Sequence, residues 1–194
     1  VTGPVGIVDG WQVCTGRSAA ALRLADHTPL RKTRIVAPRT GAAADALAPV
    51  GRAVRRSDGT LVCGFGPGEW MVIAVPAAAA VTTWIQDRIA DQSGPVTVVD
   101  QTHGRVLLRL TGKDAPSVLA KVCAIDLHDA VTPDGTVLRT QVAAVTTDVV
   151  RDDRDGVRSY LLGCEWSSGQ YVFDEILHAG AEFDIGVDGF DPVT

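Results

Sequence analysis

The sequence predicts an α+β domain built around a ferredoxin-like split βαβ unit, an antiparallel sheet covered by helices. Three observations carry that expectation. Residues 96–122 read strand, polar corner, strand, helix within one short span. From Glu69 onward the element order reads β-α-β-β-α-β-β-α. The 194 residues are 46% hydrophobic and 21% charged, near the average for a folded chain. A single domain runs to roughly 100–200 residues, so the expected organisation is an extended N-terminal arm (1–20), one domain (21–180) and a C-terminal tail (181–194).

The arm is Gly-rich, with Trp11 as its one large apolar anchor. Residues 19–25 suit a short helix or a strand, and the pattern leaves both open. Residues 33–37 form a strand that stops at Pro38. The Ala-rich run 42–48 is helix-permissive and stops before Pro49. Ser57-Asp58-Gly59-Thr60 is a turn between strands at 51–56 and 61–65. Gly64, Gly66, Pro67 and Gly68 force a tight loop before a strand at 69–75. In the run 77–90, Val81, Trp84, Ile85 and Ile89 recur at helical spacing.

Residues 96–99 begin the central span, and the corner 100–104 separates them from a strand at 105–111. Alternation puts Val106, Leu108 and Leu110 on one face of that strand and Arg105, Leu107 and Arg109 on the other. Asp114 is a good N-cap, Pro116 fits the first turn, and Ala115, Val118, Leu119, Val122 and Cys123 form an apolar helix face. Pro133-Asp134-Gly135 is a turn, 136–150 is one bent strand or two, 152–156 is a charged hairpin tip, and 157–164 is a strand. Ser167 and Gln170 fit a capping box before a helix at 171–179, with Gly180 as its C-cap.

Composition excludes several function classes. A net charge of −5 argues against a nucleic-acid footprint, and the short cluster Arg31, Lys32, Arg34 and Arg39 reads as a solvated face. No apolar run reaches the roughly 18 residues of a membrane span, and the first ten residues do not resemble a secretory signal, so a cytoplasmic location is expected. Cys14, Cys63, Cys123 and Cys164 lack metal-ligand or redox spacing and read as structural thiols; no metal is expected.

Catalytic signatures are equally sparse. The loop 64–68 has glycines but leads into a strand, not a helix N-terminus that could hold a phosphate. No nucleophile-elbow motif accompanies the serines and histidines. Asp148, Asp152, Asp153 and Asp155 read as an exposed acidic turn. His103 lies in a polar corner with Asp100, Gln101 and Thr102, a cluster that either orients a ligand or satisfies its own turn. Glu69 is expected to pair with an arginine such as Arg105, and Trp70 to be core or interface.

Two segments carry a family resemblance. Gly66-Pro67-Gly68-Glu69-Trp70-Met71-Val72 resembles the G-P-x-E-W-h-h segment (h apolar) of sarcosine oxidase gamma subunits. The run Val98-Val99-Asp100-Gln101-Thr102-His103-Gly104-Arg105, with Arg109 to Leu119 after it, is similar to the D-x-[ST]-H block of that family. The same block, in looser form, marks the wider aminomethyltransferase superfamily, which includes the glycine-cleavage T protein. Asp126-Leu127-His128 also suits the gamma subunit.

The resemblance implies an aminomethyltransferase folate-binding-domain-like fold and a subunit role. The parent complex demethylates sarcosine with FAD, FMN and NAD on its large subunits and tetrahydrofolate as formaldehyde acceptor, and this chain would pack against the large alpha subunit, alongside beta and delta. No cofactor and no active site are expected on the chain itself. The T protein's G-G-x-x-D-D segment corresponds here to Ala143-Ala144-Val145-Thr146-Thr147-Asp148, without the glycine pair. Candidate ligand or interface residues are Glu69, Trp70, Asp100, Thr102, His103, Arg105 and Trp166, with Trp11 as a further anchor. The alternatives are a stand-alone tetrahydrofolate-binding one-carbon transfer protein and an assembly factor of the same superfamily.

Overall fold

The computed structural model describes residues 4–76 and 79–191. The ends of the expected arm and tail, and the expected start of the helix at 77–90, therefore lie partly outside the described residues. A hairpin of β1 (Val5–Val8) and β2 (Trp11–Cys14) opens the chain. There follow β3 (Arg23–Asp26), β4 (Arg31–Val36), the short helix α1 (Ala42–Ala46), β5 (Ala53–Arg55), β6 (Leu61–Gly66), β7 (Glu69–Ala74) and α2 (Ala79–Ile89). The central span supplies β8 (Thr97–Asp100), β9 (Arg105–Thr111) and α3 (Ala115–Val122). Then come β10 (Val137–Val142), β11 (Val145–Arg151), β12 (Ser159–Glu165), α4 (Gly169–Gly180) and β13 (Gly186–Asp188).

From Glu69 onward the order is β-α-β-β-α-β-β-β-α-β, with residues 136–150 forming two strands and a further strand after the last helix, and these strands do not form one split βαβ sheet. They divide between two: a five-stranded sheet in the order β5-β6-β7-β4-β8 and a six-stranded sheet in the order β10-β11-β12-β9-β3-β13. The chain crosses from one to the other at the corner between β8 and β9. Periodicity identifies a strand; it carries no information on which sheet the strand joins. Here β4 separates β7 from β8, through antiparallel pairs with both.

Side-chain alternation stacks the two sheets into four layers. On β7, Trp70, Val72 and Ala74 face α1 and α2, packing with Ile35, Val62, Val81 and Ile85. Met71 and Ile73 face the opposite way, into a layer shared with Leu107, Val137, Val150 and Leu161 of the second sheet. On β9, Val106, Leu108 and Leu110 face α3 and α4, with Val118, Leu119, Val172 and Ile176. Each sheet thus buries one face under helices and the other against its partner.

Local chemistry explains the turns. β6 and β7 meet at Pro67-Gly68, where proline sets the first turn residue and Gly68 takes φ +83°. A Cβ at Gly68 would collide with the Ala37 carbonyl oxygen. β10 and β11 meet at Ala143-Ala144, with φ +48° and +64°, a two-residue turn in the left-handed region that glycine or asparagine normally fills.

Several expectations need correction. In the expected tail, the described residues 181–191 are ordered into the fold: β13 pairs in parallel with β3, and Phe190 is buried in the inter-sheet layer. The capping box does not form. A 3₁₀ turn, Trp166–Ser168, precedes α4, whose N-terminus has no side-chain cap, and Gln170 bonds Asp174 instead. Gly180 lies inside α4 with ordinary helical φ, and is small because Ile185 packs directly over it. The strand expected at 157–164 starts two residues later, at Ser159, because Arg154 and Val157 pair across the tip of the β11–β12 hairpin. Among the described residues no helix is long and apolar enough to cross a membrane.

Candidate functional site

The sequence candidates separate into three groups. The first is a charged network in the inter-sheet layer. Glu69, at the start of β7, accepts from Arg139 of β10 at 2.8 Å and lies 3.2 Å from Arg34 of β4. Arg139 Nε donates to Asp148 of β11 at 2.6 Å. Asp148 also accepts from Arg105 of β9 at 2.7 Å, and Arg105 reaches Glu165 at 2.9 Å and the Gly163 carbonyl at 3.0 Å. The expected Glu69–Arg105 pair is therefore replaced by Glu69 with Arg34 and Arg139. Three guanidiniums meet three carboxylates, and the chain of bonds ties the two sheets together.

Arg139's hydrogen bond holds the Glu69 carboxyl below its usual range, against the effect of partial burial. The same contacts raise the Arg139 guanidinium, whose face also lies 5.3 Å from the Phe65 ring. Asp148 is 8% exposed, so it is not part of an exposed acidic turn. The cavity beside Arg105 and Asp148, floored by Met71, Ile73 and Leu161, holds about 20 Å³, enough for a water molecule and no more.

The second group is the corner after β8. The Thr102 amide donates to Asp100 Oδ1 at 2.8 Å, closing an Asx turn. The Thr102 hydroxyl accepts from the Lys32 amide at 3.1 Å, and the Gln101 amide donates to the Lys32 carbonyl at 2.8 Å. Burial resists ionisation of Asp100, but Thr102 and Arg31 together hold its carboxyl below the usual range. The corner satisfies its own turn and fixes the crossing between sheets. Lys32 is not on a solvated face: it is 2% exposed, its ammonium donates to the Thr28 and Leu30 carbonyls, and desolvation lowers it to about 8.

The third group is aromatic and outward. Trp11 of the N-terminal hairpin stacks on His103, with ring centroids 4.8 Å apart and planes 8° from parallel. Trp166 meets Trp11 at 5.7 Å, and its amide donates to the Gly104 carbonyl. Trp166 is 53% exposed, and Ile7 on the same hairpin 80%. Trp70 does not join them. It is 2% exposed, and its indole N–H donates to the Ala48 carbonyl at 2.8 Å, so it is core and not an interface anchor.

Sequence reading missed Arg139 and the pairing role of Arg34. No local pattern marks them: Arg139 meets Asp148 only because β10 and β11 pair in that register, and Glu69 lies 70 residues away in the chain. Among the described residues, no three or more His, Cys, Asp or Glu side chains stand together as a metal site. Cys63, Cys123 and Cys164 are buried free thiols, and burial pushes those of Cys63 and Cys164 up, away from reactivity.

Against known proteins, the GCVT N-terminal domain family model matches residues 46–192. Two curated relatives are sarcosine oxidase gamma subunits. The one from Corynebacterium sp. (strain P-1) is 38% identical over 71 residues, 37% of this chain and 34% of that protein. The one from Arthrobacter sp. is 34% identical over 79 residues, 41% and 37% of the respective chains. The matched stretch thus spans about a third of each relative's length. A heterotetrameric sarcosine oxidase from Corynebacterium sp. U-96, in complex with pyrrole 2-carboxylate, superposes with a TM-score of 0.73 at 22% identity, covering 88% of this chain and 89% of that one. Glycine cleavage system aminomethyltransferase T from Bartonella henselae gives 0.71 at 15% identity, covering 96% and 56%. At these identities the two structures establish a common fold.

Proposed function

The chain belongs to the GCVT N-terminal domain family, and from that premise we propose that it is a non-catalytic, gamma-type subunit of a heterotetrameric, flavin-dependent sarcosine oxidase. The observation that carries this reading is the closed network at Glu69, Arg139, Asp148 and Arg105. Its charges neutralise one another, and the adjoining cavity of about 20 Å³ is far below the roughly 300 Å³ or more that a ligand of folate size requires. The network instead ties β7, β9, β10 and β11 of the two sheets together.

The outward group supplies the complementary half. Trp11, His103 and Trp166 form a stacked, partly exposed surface. Tryptophan is enriched where partner chains bury their strongest contacts. In this reading that surface meets the large alpha subunit, with beta and delta in the same cytoplasmic assembly. FAD, FMN, NAD and tetrahydrofolate are held by or between the partner chains. Hydride removal from the C–N bond of sarcosine, or of a related N-methyl amine, takes place on the flavin there.

Co-expression with the large FAD-binding subunit encoded nearest to it tests the proposal. The chain should co-purify in a yellow complex, and NMR titration of the chain alone with tetrahydrofolate should leave the signals of Glu69, Arg105 and Asp148 unshifted. A chain that never joins a flavoprotein and binds tetrahydrofolate by itself would instead establish the one-carbon transfer reading.

A further inference from the structure

The inter-sheet layer holds a second charged cluster whose balance differs from the first. At its centre is Asp152, expected from sequence at an exposed tip but with a side chain only 7% exposed. Three guanidiniums converge on it. Arg55 Nη2 donates to its two oxygens at 2.6 and 2.7 Å. Arg109 Nη2 donates at 2.8 Å, and Arg154 Nη2 lies 3.0 Å away. Three positive charges thus share one negative charge. The Nε groups of Arg109 and Arg154 are buried with no hydrogen-bond partner among the described residues. Unpaired donors and surplus charge in a buried layer are costly, and a bound anion would relieve both.

The cluster opens on a cleft of about 530 Å³, the size of a small-molecule site. Arg55, Arg56, Arg109 and Arg154 line one part of it, and Leu30, Leu61, Ile73 and Leu161 line another. Its one lining carboxylate, Asp58, is tied to Arg56 at 3.0 Å. A second cleft shares Arg109 and Arg154, but there Asp155, Asp188 and Asp191 oppose the cations, and Arg17 and Arg23 already pair with Asp188. The first cleft therefore carries the larger surplus of positive charge and is the one that favours an anion.

We propose that the cleft at Arg55, Arg109 and Arg154 binds a small organic oxyanion, a carboxylate or phosphate monoester carrying an apolar body. The head group takes up the surplus guanidinium donors, the kind of charge-assisted contact arginine makes best. The body lies on Leu30, Leu61, Ile73 and Leu161. The site is separate from the Glu69–Asp148 network and independent of the subunit role.

Titration of the full chain at low ionic strength, by calorimetry or NMR, tests the site with phenyl phosphate, benzoate and uncharged phenol. Phenyl phosphate and benzoate should bind saturably, the phosphate more tightly, and phenol should not. Arg154→Gln should weaken binding by about tenfold or more, whereas Arg158→Gln, paired with Asp129 outside the cleft, should leave it unchanged. If Arg154→Gln does not fold, Arg55→Gln, the more exposed member of the same cluster, supplies the comparison. Phenol binding as well as the anions, no saturable binding at all, or equal losses in the Arg154 and Arg158 variants would overturn the proposal.

Discussion

Replacing Asp148 with asparagine should reveal how much the Glu69–Asp148 network contributes to holding the two sheets together. Asp148 has an 8% exposed side chain and accepts from Arg105 at 2.7 Å and Arg139 at 2.6 Å. Removing one member of a fully buried pair costs about 3–5 kcal/mol. Two features reduce the figure here. Arg139 is 41% exposed and keeps Glu69, and Arg105 keeps Glu165 and the Gly163 carbonyl. Asparagine also retains one acceptor. A loss of roughly 2–3 kcal/mol remains, set by Arg105, which is only 15% exposed. For a chain of this length that lowers Tm by about 4–12 °C. Urea unfolding gives the free energy and calorimetry the Tm. Glu165→Gln, at the 69% exposed end of the same network, should cost at most about 0.5 kcal/mol. An Asp148→Asn protein within about 0.5 kcal/mol of the parent, or an equal loss for Glu165→Gln, would refute the reasoning.

Two further perturbations follow from the same geometry. His27 is 2% exposed; burial, then Arg109 and Arg154, lower its pKa to about 3. The unfolded chain, with a histidine near 6.5, binds the extra proton first, so stability is complete above pH 6.5 and falls as pH drops toward 3, by up to ~1.4 kcal/mol per unit. His27→Asn should flatten urea-unfolding free energies between pH 6.5 and 4.5, and an unchanged slope would contradict this. At the β10–β11 turn, Ala143→Gly and Ala144→Gly should each stabilise the protein by roughly 0.5–1 kcal/mol. Relief of the left-handed strain of about 1–2 kcal/mol exceeds the entropy cost of glycine. Thermal melts showing either variant to be less stable would contradict that.

Much of the fold was legible because alternation and turn chemistry are local. The strand at Arg105–Thr111, its break at Gly112 and the helix after Asp114 follow from residues within one span. So does the Pro67-Gly68 turn. What was not legible depends on partners distant in sequence. Alternation places Arg105, Leu107 and Arg109 on one face of β9, but does not show that Met71 and Ile73 of the other sheet pack against Leu107 there. The pairing of Glu69 with Arg139 spans 70 residues, and that of Arg109 with Asp152 spans 43. For the same reason Asp152 resembles a turn residue in sequence and is a buried counter-ion in the fold. The corner 100–104 was located by its residue types, but whether it binds a ligand or closes on itself depended on the Lys32 backbone that meets Thr102.

The subunit reading is tested most directly at the outward aromatic surface. Trp11 stacks on His103 while Trp166 is 53% exposed, so truncating Trp166 costs the free chain little. Sedimentation velocity, read at the flavin absorbance of the large subunit, measures assembly with the parent chain, with Trp166→Ala and with the Trp11→Ala/Trp166→Ala pair. The account predicts that the parent chain co-sediments with the flavin. The single variant should lose about 2 kcal/mol of binding with its own Tm nearly unchanged, and the pair should lose more. Full assembly by the double variant, or a parent chain that sediments alone at every concentration of the large subunit, would contradict it.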